Sequence, residues 1–147
     1  ISNIMKNYSI LISVMCLILT SCNSTPKEIG YGSDGCQFCS MTIVDKQHAA
    51  QFMTQKGRSY VFDASECMLN HLKEIDPSTV AVYLVNDYNA PGKTIDATKA
   101  IYLISKNIPS PMGEYLTAFA SEKAAKKAQL ANNGELLNWT ELRARFN

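Results

Sequence analysis

Most of the motifs that announce chemistry are missing from this chain. Its 147 residues contain no Gly-rich phosphate loop, no serine or threonine nucleophile motif and no carboxylate pair framed as an acid/base couple, so nothing argues for an enzyme. Basic clusters are scarce: Lys123, Lys126 and Lys127 form the one run, and at helical spacing they read as a solvated face, so no nucleic acid is expected as a partner. The longest apolar run, from about Tyr8 to Leu19, is shorter than the roughly 20 residues a spanning helix takes. With 14 Lys and Arg against 13 Asp and Glu, a strong excess of either sign is missing as well.

What the N-terminus does hold is a signal. Lys6 precedes the apolar run, which ends in Leu19-Thr20-Ser21-Cys22, flanks that suit a cleaved leader over residues 1–21. The tetrapeptide resembles a bacterial lipobox, which makes Cys22 the lipidated first residue of the mature chain and residues 22–35 that lipidated Cys and a polar tether. An ordinary secretory signal is the alternative. The expectation is a lipid-anchored protein outside the cytoplasmic membrane, on the inner or the outer membrane. Of five cysteines, Cys16 leaves with the leader and Cys22 is capped, leaving Cys36, Cys39 and Cys67. An odd number cannot all pair internally, which disfavours a disulfide scaffold and leaves at least one thiol free.

The remaining length suits one compact domain over residues 36–147. Ala49 to Thr54 and Arg58 to Phe62 read as strands joined by the Gln55-Lys56-Gly57 turn. Asp63, with Glu66 three residues on, reads as a capping-box start to a helix carrying Met68, Leu69 and Leu72 at helical spacing. Asp76-Pro77 stops it, and Val80 to Val85 is a β-branched strand. The second half repeats the plan: strands at Lys93 to Ala97, Ala100 to Ser105 and Leu116 to Ala120, a helix from about Ser121 to Asn132 ended by Asn133-Gly134, a short strand at Leu136 to Asn138, and a tail helix. The fold class is α+β, two ββαβ units over about 36–86 and 93–147. Phe62-Asp63-Ala64-Ser65-Glu66 and Phe119-Ala120-Ser121-Glu122 hint at duplication, aligned with a one-residue gap.

The residues that carry chemistry are Cys36-Gln37-Phe38-Cys39-Ser40-Met41. Thiolates and a thioether form a soft donor set that selects Cu(I) over the oxygen-preferring ions. Met41 follows Cys39 by two, and in an extended strand residues two apart share a face. Met112, framed by Pro111 and Gly113, is a bulky apolar residue in a loop with no periodic reason for its place. Met68 reads as core. A thiol-disulfide oxidoreductase built on Cys36 and Cys39 is a weaker reading, because Thr42-Ile43-Val44 continues as extended chain rather than as the helix such a pair opens. Cys36, Cys39, Cys67 and His71 also make a plausible zinc set, with Cys67 and His71 four apart on one helix face. His48 reads as a surface or strand-edge residue.

The lipobox, Cys36-x-x-Cys39-x-Met41, Tyr60-Val61-Phe62-Asp63, Glu66-Cys67-Met68-Leu69, Ser110-Pro111-Met112-Gly113 and Leu116-Thr117-Ala118-Phe119-Ala120 together resemble the NosL family, accessory lipoproteins of nitrous oxide reductase. The resemblance implies a Cu(I) chaperone that serves the reductase's copper centres through a membrane-associated maturation machinery. It implies two ββαβ units, similar to the non-catalytic architecture of organomercurial lyases. By position it implies Cys39 and Met41 as the metal site, Met112 as a third ligand, and Cys36 as either a ligand or a disulfide partner of Cys39. The family often has Gly where this chain has Ser40, a loss of backbone freedom that removes no ligand. A copper store or an adaptor that binds partners without metal would be competing uses of the same residues.

Overall fold

The computed structural model describes residues 24–147, so the leader and Cys22 lie outside the described residues. Seven strands and three α-helices follow one another as β1 (Ala50–Thr54), β2 (Ser59–Phe62), α1 (Ser65–His71), β3 (Val80–Asn86), β4 (Thr94–Asp96), β5 (Ile101–Ile104), β6 (Leu116–Phe119), α2 (Glu122–Asn132), β7 (Glu135–Leu137) and α3 (Trp139–Arg145). They form two antiparallel sheets, ordered β2-β1-β3-β4 and β6-β5-β7. In both, the first strand of a ββαβ unit lies at the centre, flanked by the second strand and by the strand that returns after the helix. The α+β reading with two ββαβ units is therefore what the chain adopts.

Gly57, at φ 83°, turns the first hairpin, and Thr54 N–H donates to Arg58 O at 2.9 Å across it. The strand over Lys93 to Ala97, read as opening the second half, belongs instead to the first sheet. As β4 it pairs with β3, Leu84 facing Asp96 and Asn86 facing Thr94. The reason is the turn: Asp87 N–H donates to Lys93 O at 2.9 Å, and Gly92 adopts φ 83°, so a short connection folds β4 straight back on its predecessor. The second unit begins at β5.

The two strand-to-helix junctions match without a gap. Phe62 and Phe119 each end a strand, two residues follow, and the N-cap residues Ala64 and Ser121 take nearly the same backbone angles, φ −147° and ψ 154° against φ −146° and ψ 151°. Ser121 accepts a hydrogen bond from Ala124 N–H. Ala64 has no side-chain cap, and the expected capping box of Asp63 and Glu66 is not formed; both side chains are engaged elsewhere. At the far end of α2, Asn133 takes φ 59° and Gly134 φ 112°, so Asn133 enters the left-handed region before the expected glycine. A reciprocal box does form at α3, between Asn138 and Glu141.

One core spans both units: Phe52, Phe62 and Met68 from the first pack with Tyr102, Leu116 and Leu142 from the second, all buried. Met68 is the core residue it was read to be. The units are also tied by polar groups. Glu66, buried on α1, accepts from the Ser110 hydroxyl and from Leu116 N–H at 3.2 Å, and Ser110 Oγ in turn accepts from Tyr115 N–H at 2.9 Å. Burial raises the Glu66 carboxyl above the usual range, against the pull of those donors. His48 is buried rather than at a surface; its Nδ1 lies 2.9 Å from Asp45 Oδ2 and its Nε2 3.4 Å from Thr117 Oγ1 of β6.

Candidate metal centre

The Cys36 to Met41 segment is a tight turn at the tip of a loop that backbone bonds hold closed. Cys36 N–H donates to Met41 O at 2.8 Å, Ser40 N–H to Cys36 O at 3.0 Å and Ile43 N–H to Asp34 O at 2.9 Å, while Gly35 and Thr42 form an isolated antiparallel bridge. Asp34 braces the loop from inside, accepting from Gly30 N–H at 2.8 Å and Lys27 Nζ at 2.6 Å. Gln37 N–H donates to Val61 O at 3.0 Å, which fixes the turn against β2. Ser40 sits at φ 65°, in the left-handed region that favours glycine. The extended geometry expected to carry Cys39 and Met41 on one face is therefore absent, because a left-handed residue between them reverses the chain.

Three thiols gather at this turn, two of them its own. One ligand atom from each of Cys36, Cys39, Asp63 and Cys67 lies within 4.8 Å of the others. Cys36 comes from the turn, Asp63 from the end of β2 and Cys67 from the first turn of α1. Asp63 Oδ1 accepts from the Cys39 thiol at 3.5 Å and from the Cys67 thiol at 3.3 Å. That engagement is why Asp63 does not cap the helix. Cys36 and Cys67 are buried, Cys39 is half-buried, and none of the three is paired in a disulfide.

The thiols are electrostatically unequal. Contact with the Cys67 thiol pulls Cys36 down to about 6, with Cys39 N–H adding to the effect against the cost of burial. Cys67 is pushed up, first by that same contact with Cys36, then by burial and by Asp63, which accepts its hydrogen. Burial pushes Cys39 up as well, although Met41 N–H opposes it. One thiol is thus poised as the anion that metal ions and electrophiles need, and two remain protonated until something displaces their protons.

The other expected residues sort themselves around this cluster. Met41 is 47% exposed, and Phe38, three residues earlier, is 46% exposed. Met112 is partly buried and packs against the same core cluster as Cys39. Its turn, closed by Gly113 N–H to Ser110 O at 3.0 Å, is moored through Ser110 to Glu66, the residue before Cys67. His71 does not join Cys67. Its ring lies among Phe52, Tyr60 and Phe62, with centroids 5.4–5.9 Å away, so the carboxyl of Asp63 takes the fourth place that the zinc reading gave to His71. Asp63 escaped the sequence reading because its spacing from Glu66 imitates a cap; its four-residue spacing from Cys67 is the signal that points the other way.

The arrangement offers a soft sulfur pocket capped by a half-exposed turn. A model of the family NosL matches residues 29–146. Among solved structures, the crystal structure of the copper chaperone NosL from Shewanella denitrificans is similar, with a TM-score of 0.68, 20% identity, and 80% of this chain and 95% of that chain covered. Comparison with curated proteins finds no match.

Proposed function

The chain belongs to the NosL family, and from that premise we propose that it is a Cu(I) metallochaperone rather than an enzyme, anchored through a lipidated Cys22 outside the cytoplasmic membrane. Its cargo would go to the copper centres of nitrous oxide reductase through the membrane maturation machinery. The observation that carries the reading is the thiol cluster at a surface turn: the sulfur of half-buried Cys39 lies within 4.8 Å of two further thiols, and Met41, two residues on, is half-exposed. Thiolate and thioether sulfurs together are a soft donor set that suits Cu(I). The similar copper chaperone from Shewanella denitrificans supports the same cargo.

The delivering ligands are Cys39, Met41 and Met112, with Cys36 behind them. Cys39 supplies a sulfur that becomes anionic as the ion displaces its proton, and the two thioethers supply neutral, weaker donors that an incoming Met or His of the acceptor displaces. Ligand exchange of this kind needs an incomplete coordination shell, which a turn at the protein surface provides. Anchoring at Cys22 confines the search for the acceptor to the membrane plane and raises the local concentration.

The test is an anaerobic titration of the reduced protein with Cu(I) against a competing chelator, in parallel with zinc. One tightly held Cu(I) per chain is expected, lost with Cys39→Ala and weakened with Met41→Leu. Absence of tight Cu(I) binding, or a clear preference for zinc, would sink the proposal. The destination is tested in cells: without the chain, nitrous oxide reductase should accumulate with its copper centres depleted, and the Cys39→Ala form should not restore them.

A further inference from the structure

Cys67 has no part in the delivering set, yet the fold aims it at that set. It is fully buried on α1, where a cysteine normally behaves as a small apolar residue with no need of polar company. Here its sulfur, that of Cys36 and that of Cys39 all converge to within 4.8 Å. Around a d10 ion with metal–sulfur bonds of about 2.3 Å, neighbouring sulfurs stand roughly 4 Å apart. The three thiols are therefore within about an ångström of closing on one ion. Asp63 Oδ1 holds two of them by accepting both of their hydrogens, and a hard carboxyl oxygen is a poor ligand for Cu(I). Its role is to orient the Cys39 and Cys67 sulfurs.

Burial then divides the sulfurs into two groups. Cys36 and Cys67 are 3% and 0% exposed, while Met41 is 47% exposed, and Cys39 lies between them. An acceptor protein can attack an ion at the rim but cannot reach one enclosed by buried thiols. Cys39 is the one ligand that both surroundings share.

Building on the chaperone reading, we infer that the chain holds Cu(I) at two positions that pivot on Cys39: an inner one formed by Cys36, Cys39 and Cys67, and the outer one formed with Met41 and Met112. The inner position keeps the ion from solvent and from adventitious chelators, and the outer one releases it. Passage outward breaks the bonds to the Cys36 and Cys67 sulfurs and forms bonds to the two thioethers. Copper remains Cu(I) throughout and no electron moves; each sulfur that is freed takes back from solvent whatever proton it gave up on loading.

Selenomethionine labelling separates the two positions. In the labelled, Cu(I)-loaded wild type, X-ray absorption should find a copper shell of sulfur without selenium. In Cys67→Ala, selenium should enter that shell, affinity should fall by about tenfold or more, and transfer to a competing chelator should quicken. Met41→Leu should weaken binding only slightly, by about threefold or less, while slowing transfer about tenfold. The labelled wild type answers the question without any substitution, so a Cys67 variant that does not fold leaves the measurement intact. Selenium in the wild-type shell, unchanged by Cys67→Ser or Cys67→Ala, overturns the inner position and leaves the chaperone reading standing. Zinc held through Cys67 and Asp63, with Cu(I) binding indifferent to Cys67, overturns it too. A wild type that takes up no Cu(I) at all sinks the chaperone reading itself, and this inference with it.

Discussion

The two ββαβ units share a topology and even the backbone angles of their helix starts, but they use the same junction for opposite ends. In the second unit, Ser121 caps α2, and the residue before it is Ala120, which carries no chemistry. In the first, the equivalent cap position is Ala64, which cannot cap, and the residue before it is Asp63, whose side chain is given to the thiols of Cys39 and Cys67. The helices differ accordingly. The eleven residues of α2 include a single buried one, Ala125, whereas five of the seven in α1 are buried, Glu66 and Cys67 among them. The second unit is built for ordinary stability. The first gives up a cap worth about 1 kcal/mol and buries a carboxyl in order to place sulfur, so the stability of the whole leans on the second.

The largest test of that dependence is Gly134→Ala. A Cβ there would meet Ile104 O at 2.3 Å at a residue with φ 112°, so the turn between α2 and β7 has to break. We expect a loss of about 4 kcal/mol, seen as a fall of more than 10 °C in Tm by calorimetry. If the first unit kept its full stability in this variant by hydrogen exchange, the dependence would be wrong.

Next is Glu66→Ala, which strands the Ser110 hydroxyl and Leu116 N–H in the interior. The expected cost is about 3 kcal/mol in urea unfolding. Glu66→Gln keeps an acceptor and should cost about 1 kcal/mol or less near neutral pH. The sign of its pH dependence is fixed by the raised carboxyl: a group that protonates more readily folded than unfolded contributes most below its unfolded value and less as pH rises through the folded one. Wild type should therefore gain stability relative to Glu66→Gln as the pH is lowered from neutral toward the ordinary carboxylate range; a constant difference would remove burial as the cause.

Ser121→Ala should cost about 1 kcal/mol and leave Cu(I) affinity unchanged, whereas Asp63→Ala should disturb metal binding more than unfolding. Equal effects of the two on both readouts would erase the contrast between the junctions. The smallest change is Ser40→Gly, which relieves a left-handed serine next to the site and should stabilise by about 0.5 kcal/mol or be neutral, since glycine also loosens the unfolded chain.

Much of the fold was legible in the residues because local pattern and tertiary outcome agree. The Gln55 to Gly57 turn, the β-branched run of β3 and the Asp76-Pro77 stop each form where spacing put them. Where they disagree, a longer-range partner outbid the local one. Asp63 and Glu66 have the spacing of a capping box, but the Cys39 thiol from a loop 24 residues earlier and a hydroxyl 44 residues later claim them. The strand at Thr94 was visible, but not its allegiance, because a strand midway between two units reads alike for either sheet. The Cys36 and Cys39 pair was plain from the sequence, and so was the adjoining thioether. What could not be read was the reversal at Ser40 and the convergence of Asp63, since both depend on how β2 lies beneath the loop.

The loop that carries the thiols is fastened by its own backbone, with the amides of Gly32, Cys36, Gln37 and Ile43 all donating to backbone carbonyls. A loop held by its own backbone is expected to take up copper without folding around it, unlike domains that fold around their metal. Two outcomes follow for traffic through the protein. Hydrogen exchange at those four amides should be slow with or without cargo. And a donor that fills the chain and an acceptor that empties it meet nearly the same surface, so what tells them apart must be the ion and its charge rather than a change of shape.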